Sequence, residues 1–389
     1  MKSNTQEAFG ACRVEVRTNE HESFTEYHLT ATINGTMSVA LAADQAFNDV
    51  AAVLAQKSIQ PIQEKIYGYA RVREQVLQRR EAAYRAHGID RSMPATWIQG
   101  TPLNGCEFVG LQIWGIVAHN GEACVTTVEN PVTGRGRLWS GAGFRLLHLA
   151  GVRGTTPDGV LAAGHCAQAE AMFNNLGAGL AAHDFHYNQV VRTWIYVRRL
   201  LEWYSDLNRI RTSKYTSVGL GVSGGPAHPA STGIQCFSDD EECIVDALAL
   251  DTDGRSMVAT PIRKSPRQDS SFNYGSAFSR GMTLAIEGRK IVHISGTASI
   301  NSAGASTHVG DAECQSLETL MSIAAILEEQ GGSLKNITSA TLFCKDRAAW
   351  EAWERVTRLL QIPALPKVCV IADVCRHDLL VEMEAVAVI

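Results

Sequence analysis

The run His186-Tyr-Asn-Gln-Val-Val-Arg192-Thr-Trp194-Ile-Tyr196-Val197 continues as Leu201-Glu-Trp-Tyr-Ser-Asp-Leu-Asn208-Arg-Ile-Arg211-Thr-Ser-Lys-Tyr215. After a glycine-rich connection comes Pro229-Ala-Ser-Thr-Gly-Ile-Gln235. The hydrophobic period changes twice along this stretch. The first part alternates as a strand, and the second carries apolar residues at helical spacing. The third is a short strand entered through proline. The same order stands earlier, as Ile62-Gln-Glu-Lys-Ile-Tyr67-Gly-Tyr69, then Arg73-Glu-Gln-Val-Leu-Gln-Arg-Arg80-Glu-Ala-Ala-Tyr84, then Pro94-Ala-Thr-Trp-Ile-Gln. It stands later as Ile337-Thr-Ser-Ala-Thr-Leu-Phe343-Cys, a helix over 347–360, and Pro366-Lys-Val-Cys-Val. Arg80 and Tyr84 fall on Arg211 and Tyr215, and Pro94, Pro229 and Pro366 coincide.

Working outward, each copy has an Ala/Leu-rich helix before it, at 42–56, 166–182 and 311–330. Each has a closing strand after it, at 107–117, 243–250 and 379–389, and a leading hairpin, at 12–33, 137–152 and 282–300. The pattern β-hairpin, helix, strand, helix, strand, strand is written three times. Polar, turn-rich joins near 118–132 and 251–270 separate the copies. The expected units are 1–118, 119–255 and 256–389, in an α+β chain. A sheet with helices on one face leaves its other face to be buried. Three such sheets in one chain predict a closed intramolecular pseudo-trimer, and a monomer as the whole. Independent beads on a string are disfavoured, because the joins are short and the strands are apolar on both faces.

Composition narrows the function. The 389 residues are 45% hydrophobic and 19% charged, with a net charge of -5, as in an ordinary soluble globular protein. No basic excess points to nucleic acid, and no apolar run approaches a membrane span. The N-terminus shows no apolar core of a secretion signal, so a cytoplasmic setting with its 10 cysteines reduced is expected. Cys and His do not cluster at metal-ligand spacing. His183 and His186 come closest and fit a loop better, so no metal is expected.

The closing strand of the third unit holds the sharpest signal, Leu379-Leu-Val381-Glu382-Met383-Glu384-Ala385-Val-Ala-Val-Ile389. Alternation puts Glu382 and Glu384 on one face and Val381, Met383 and Ala385 on the other. An edge strand with both acids in water explains this blandly, above all for Glu384. The repeats favour a site for Glu382: Gly110–Leu111 and Val245–Asp246 stand opposite it in the other units. In a triplicated chain structural residues recur and site residues do not. By this test Arg80 and Arg211 are structural. Arg192, facing Lys65 and Ser339, moves toward the site. Ser231 and Thr232, just after Pro229, offer hydroxyl and backbone donors.

The third unit resembles the YjgF / reactive-intermediate deaminase superfamily. The resemblance rests on Tyr274-Gly-Ser-Ala-Phe-Ser-Arg280-Gly, His293-Ile-Ser295-Gly296-Thr297-Ala298, Gln315, Gly331-Gly-Ser-Leu-Lys-Asn-Ile-Thr and Val381-Glu-Met-Glu-Ala-Val-Ala. It implies the YjgF-like (chorismate-mutase-like) fold and ligand sites between units. The family's carboxylate-binding Arg falls on Lys367, a departure that counts against a plain imine/enamine deaminase. Over roughly 150–389 the chain is similar to the chorismatases. The residues are Val191-Arg-Thr-Trp-Ile-Tyr, Trp203-Tyr-(x)3-Asn208-(x)2-Arg211-(x)3-Tyr215, Pro229-Ala-Ser-Thr-Gly-Ile, Tyr274-(x)3-Phe278-Ser-Arg280, Ser295-Gly-Thr-Ala-Ser-Ile and Glu382.

That resemblance implies a cofactor-independent enzyme that splits chorismate into pyruvate and a hydroxybenzoate, 3-hydroxybenzoate ahead of 4-hydroxybenzoate. Hydrolysis to a dihydrodiol, a deaminase and a non-catalytic binding protein are the alternatives. Glu382 is the expected acid and Cys375 the residue that sorts products, although a buried inert thiol is the plain alternative. Arg192, Arg280 and Lys367 are the expected carboxylate anchors. Tyr215, Ser231, Thr232, Tyr274, Gly296, Thr297 and Ala298 complete the expected substrate contacts.

Overall fold

The computed structural model describes residues 5–9, 12–121, 124–236 and 241–389, without the side chains of 5–9, 273 and 274. The first unit runs β1 (Thr5–Phe9), β2 (Cys12–Glu20), β3 (Phe24–Ile33), α1 (Val39–Lys57), β4 (Gln60–Gly68), α2 (Arg73–Ala86), β5 (Thr96–Gln99) and β6 (Phe108–Ala118). The second runs β7 (Val125–Asn130), β8 (Gly134–Gly141), β9 (Phe144–Arg153), α3 (His165–Ala181), β10 (Val190–Val197), α4 (Leu200–Ser217), β11 (Ala230–Gln235) and β12 (Cys243–Thr252). The third runs β13 (Val258–Ile262), β14 (Gly281–Ile286), β15 (Arg289–Ala298), α5 (Ala312–Glu329), β16 (Ile337–Cys344), α6 (Arg347–Leu359), β17 (Lys367–Ile371) and β18 (Val381–Val388).

The three sheets share one strand order, β1-β2-β3-β6-β4-β5 in the first and its counterparts in the others. β4–β5, β10–β11 and β16–β17 are the parallel pairs, each bridged by a helix. Every closing strand is inserted in mid-sheet. β18 lies between β15 and β16, so Glu382 and Glu384 are not on an edge, and both are at most 5% exposed. The water-facing alternative therefore fails for both.

The sheets also hold a strand that the hydrophobic pattern does not predict. β1, β7 and β13 pair outside the leading hairpins, and β7 and β13 fall in stretches read as joins. An edge strand needs only one bonded neighbour and little buried face, so its apolar signal is weak. β13 even accommodates Pro261.

Helix ends follow from local chemistry. Ser38, Asp311 and Asp346 cap α1, α5 and α6 by accepting from the backbone N–H three residues on. α4 starts after Arg199 in the left-handed region and kinks at Trp203 (φ -141°, ψ 21°). The kink sets the turn that carries Tyr204, Asn208 and Arg211.

Each sheet packs its helices on one face around a separate core, centred on Phe47, Phe173 and Trp353. The other faces meet in one shared core with Tyr67, Trp114, Trp139, Trp194, Phe343 and Val388. Burying each large side chain contributes roughly 1.5–3 kcal/mol, so the common core binds the units together. The ring is closed by direct bonds. Arg137 Nε donates to Pro61 O (2.9 Å) between the first and second units. Ala230 pairs with Ser279 between the second and third. Thr101 and Ile371 exchange backbone bonds (2.9 Å each) between first and third. The intramolecular pseudo-trimer expected from the repeats is the architecture found. Among the described residues no helix is long and apolar enough to cross a membrane.

Candidate active site

Bulges align the repeats. Each strand after the first helix breaks register near its start, before Gln63, Arg192 and Ser339. Four residues beyond these, Tyr67, Tyr196 and Phe343 pair with Gly110, Ile244 and Glu382. Two residues before those three, Lys65, Trp194 and Thr341 pair with Gln112, Asp246 and Glu384. A polar group therefore recurs at the Glu384 level, whereas the acid at the Glu382 level belongs to the third unit alone.

Cavities open where the short fifth strand of one unit meets the closing strand of the next. The one between first and second units is about 80 Å³, and that between third and first about 390 Å³. The cavity between second and third units, about 250 Å³, holds Glu382. The second unit lines it with Tyr204, Asn208 and Arg211 from α4 and with Ser231 and Gly233 from β11. The third unit supplies Arg280, Gly296, Ala298, Cys375, Arg376 and Glu382.

The site follows from backbone register. Ala298 pairs directly with Glu382 across β15 and β18. Gly296 sits in the bulge of β15, and a Cβ there would lie 2.1 Å from Glu382 Oε1, so only glycine leaves the carboxyl its place. Ser231 N donates to Ser295 Oγ (2.9 Å), and Gly296 N donates to Thr232 Oγ1 (3.1 Å), which docks β11 on the bulge. Tyr204, Asn208 and Arg211 recur at i, i+4 and i+7, one face of α4. Arg211 Nη2 donates to Asn208 Oδ1 (2.6 Å). Arg280 Nε and Nη2 donate to Asp269 O (3.0 and 2.9 Å).

The two neighbouring acids are in opposite electrostatic settings. Burial raises the Glu382 pKa to about 8, helped by the Glu384 charge and opposed by Arg192. Burial alone would raise Glu384 too, but Lys65, Arg192 and a Thr232 hydrogen bond outweigh it and hold that carboxyl below its ordinary value. Near neutral pH these settings favour the protonated form of Glu382 and the ionised form of Glu384. Burial pushes the Cys375 thiol up to about 12, with the Glu382 charge adding to the effect, so it is a neutral thiol near pH 7.

Of the residues singled out in the sequence, Glu382, Cys375, Ser231, Arg280, Gly296 and Ala298 line this cavity. Thr232 and Thr297 lie behind it, Thr232 on Glu384 (2.6 Å) and Thr297 on Ser295 O (2.9 Å). Arg192 stands in a smaller central cavity, with Nη2 on Glu384 Oε2 (2.8 Å), rather than in the lining. Tyr215 is fully buried in the second unit's helix-side core, against Phe173 and Tyr187. The side chain of Tyr274 lies outside the described residues. Lys367 is at a different interface from Glu382. Its fifth strand faces the first unit, where it lines the 390 Å³ cavity and pairs with Glu354 at 3.3 Å.

Arg211, read as structural, proves to be a lining residue together with Tyr204, Asn208 and Arg376. The i, i+4, i+7 spacing was the available signal. The fold also gathers His165, Cys166 and Asp206, with ligand atoms within 4.8 Å of one another, which spacing in the chain does not suggest. Asp206 there already pairs with Arg209 (3.1 Å).

Residues 276–389 match the family model described as Endoribonuclease L-PSP. Over 104 residues the chain is 33% identical to 3-aminoacrylate deaminase RutC of Acinetobacter baylyi (strain ATCC 33305 / BD413 / ADP1), spanning 26% of this chain and 82% of that protein. The crystal structure of a chorismatase aligns with a TM-score of 0.59 at 18% identity, over 84% of this chain and 92% of that one. At that identity the likeness is one of fold. The chain belongs to the endoribonuclease L-PSP family, the YjgF-like superfamily, and its three units together have the chorismatase fold.

Proposed function

We propose that the protein cleaves the enolpyruvyl ether of chorismate, giving pyruvate and a hydroxybenzoate. The observation that carries this reading is Glu382, an acid with its pKa raised to about 8, in a cavity it shares with three arginines. Chorismate is a dicarboxylate, and Arg211, Arg280 and Arg376 offer planar donors for its two carboxylates. The resemblance to chorismatases points the same way.

The chemistry needs a proton at the terminal methylene carbon of the ether. Glu382 donates it, the double-bond electrons form the new C–H bond, and positive charge spreads to the ether oxygen as an oxocarbenium. Water adds to the ether-bearing carbon of the oxocarbenium, giving a hemiketal, and returns a proton to Glu382. The ether C–O bond then breaks, leaving pyruvate and the ring diol. Loss of one ring oxygen as water aromatises the ring, so hydroxybenzoate formation consumes no water overall. Loss of the 4-hydroxyl leaves 3-hydroxybenzoate, the favoured product, and loss of the 3-oxygen leaves 4-hydroxybenzoate. Without that loss the product is the dihydrodiol. Cys375, a neutral thiol in the same cavity lining as Ala298, is the group assigned to guide the aromatising step.

Incubation with chorismate, followed by chromatography of the ring product and assay of pyruvate, tests the reading. Equimolar pyruvate and hydroxybenzoate are expected, and chorismate left intact overturns it. The similarity to RutC favours an enamine deaminase as second reading. Ammonia released from aminoacrylate, with chorismate untouched, selects that reading instead.

A further inference from the structure

All three units reach one carboxylate. Lys65 Nζ of the first unit donates to Glu384 Oε1 (3.0 Å). Arg192 Nη2 and Thr232 Oγ1 of the second donate to Oε2 (2.8 and 2.6 Å). The Thr232 hydroxyl also accepts from Arg192 Nη2 (2.7 Å) and from Gly296 N (3.1 Å). A hydroxyl has one proton and two lone pairs. With both lone pairs taken, its proton points at Glu384. Lysine and arginine can only donate. With Lys65 as an ammonium, each of these partners of Glu384 is a donor and none accepts, which is the pattern of an ionised carboxylate.

The same atoms lead to the site. Gly296, held through its N–H on Thr232, leaves the space that Glu382 Oε1 fills. Glu382 and Glu384 stand two residues apart on one face of β18, roughly 7 Å along the strand. Of the charged groups outside the cavity lining, Glu384 and Arg192 act on Glu382 electrostatically. Cys375, Tyr204, Arg211, Arg280 and Arg376 face it across the cavity.

Resting on the reading of Glu382 as the acid, we propose that Glu384 is a positioning residue whose fixed negative charge, assembled by Lys65, Arg192 and Thr232, keeps Glu382 in its acid form. The first unit, which among its described residues adds none to the lining of the cavity, thereby takes part in catalysis through Lys65. The device is available only to a closed ring, because Lys65 and Glu384 are 319 residues apart in sequence.

The test follows the carbonyl stretch and the ¹³Cδ shift of Glu382 against pH, without substrate. It uses the wild type, Glu384→Gln and the double variant Lys65→Met/Glu384→Gln, which removes one cation and one anion together and leaves Arg192, still bonded to Thr232 Oγ1 (2.7 Å), as the one cation of the cluster without its carboxylate. The Glu382 midpoint is expected to fall by at least about one pH unit in either variant, since a like charge nearby has been removed. With chorismate, the alkaline limb of kcat/KM is expected to move down by the same amount while KM holds. A midpoint that stays within about 0.3 unit of wild type, or rises, overturns the proposal. So does a Glu384 carbon in its acid form at pH 6 in the wild type, a result that needs no variant. Because the titration uses no substrate, failure to cleave chorismate would sink the functional reading and leave the midpoint shift standing.

Discussion

Arg80 and Arg211 occupy the same place on the second helix of their units, and their hydrogen-bond partners differ. In the first unit Glu64 lies under the helix. Arg80 Nε and Nη2 donate to its Oε2 (2.9 and 2.6 Å), and Tyr84 Oη donates to its Oε1 (2.8 Å). In the second unit the corresponding residue, one past the bulge, is Thr193, whose Oγ1 donates to Ser231 Oγ (2.9 Å). Arg211 keeps a neutral partner, Asn208, has no partner for its buried Nε, and faces the cavity. An ion pair that serves the fold in one copy is dissolved in the next, and the guanidinium becomes available to an anionic ligand. Recurrence of a residue in a repeat therefore does not make it structural; recurrence of its partner does.

The largest effect is expected where the copies differ most. Glu382→Gln turns the third unit into one without an acid, as Ile244 and Gly110 are in the others. Turnover, read as pyruvate release from chorismate, should fall at least about 10²- to 10⁴-fold. Binding should persist, since shape and the arginines remain. Full pyruvate release by this variant would remove Glu382 from the chemistry.

The two arginines should then fail in different ways. Arg211→Ala removes a charge-assisted anchor and should weaken chorismate binding by roughly 2–5 kcal/mol, seen as a raised KM in a normally folded protein. Thr193→Glu rebuilds the first unit's pair in the second and should raise KM similarly by occupying Arg211. Arg80→Ala instead leaves Glu64 buried without its cation, and should cost about 3–5 kcal/mol of stability in denaturant melts with KM unchanged. Equal KM values for Arg211→Ala and wild type would erase the distinction.

The repeat was legible because apolar periods, prolines and closing strands survive in all three copies. Glu382 was legible because the chain places Gly110–Leu111 and Val245–Asp246 opposite it, although strand pairing shifts the second unit's counterpart to Ile244. What could not be read was which unit faces which. Lys367 belongs to the strand that meets the first unit, while the third unit's acid is met by β11 and α4 of the second. Spacing along the chain carries no record of that rotation. Nor does it show that Thr193 replaces Glu64, because the bulges that align these residues are invisible without strand pairing. Tyr215, a recurring aromatic, belongs with the core for the same reason that Tyr84 does.

A smaller effect concerns stability and pH. The native pKa of Glu382, about 8, lies above its ordinary 4.5. The native state thus binds the extra proton between these values, and the stability it contributes is lost as pH rises from about 4.5 through 8. Glu382→Gln removes that dependence and should be more stable than wild type at pH 9, by on the order of 2–4 kcal/mol in denaturant melts. Activity depends on the native state alone, so it should decline only as pH rises through the native value, with an alkaline limb near pH 8 as the acid is lost. A wild type equally stable at pH 6 and pH 9, and no gain in the variant, would place Glu382 in a more solvated setting.

The smallest effect is expected at Lys367, and it is the control for the whole comparison. Lys367 occupies the strand position that the superfamily resemblance marks for carboxylate binding, yet its ammonium pairs with Glu354 at 3.3 Å, both side chains partly exposed (25% and 35%). Such a pair contributes about 0–1 kcal/mol to stability. The cavity it lines lies between the third and first units, where Val109 and Thr30 stand and Glu382 does not. Lys367→Ala should therefore leave KM for chorismate within about twofold of wild type and shift stability by no more than that pair's worth. Arg211→Ala, measured in the same assay, should be impaired by at least tenfold. If the two variants reverse roles, the substrate sits between the third and first units. Arg211 would then return to the core, and the dissolved ion pair at Thr193 would have no bearing on binding.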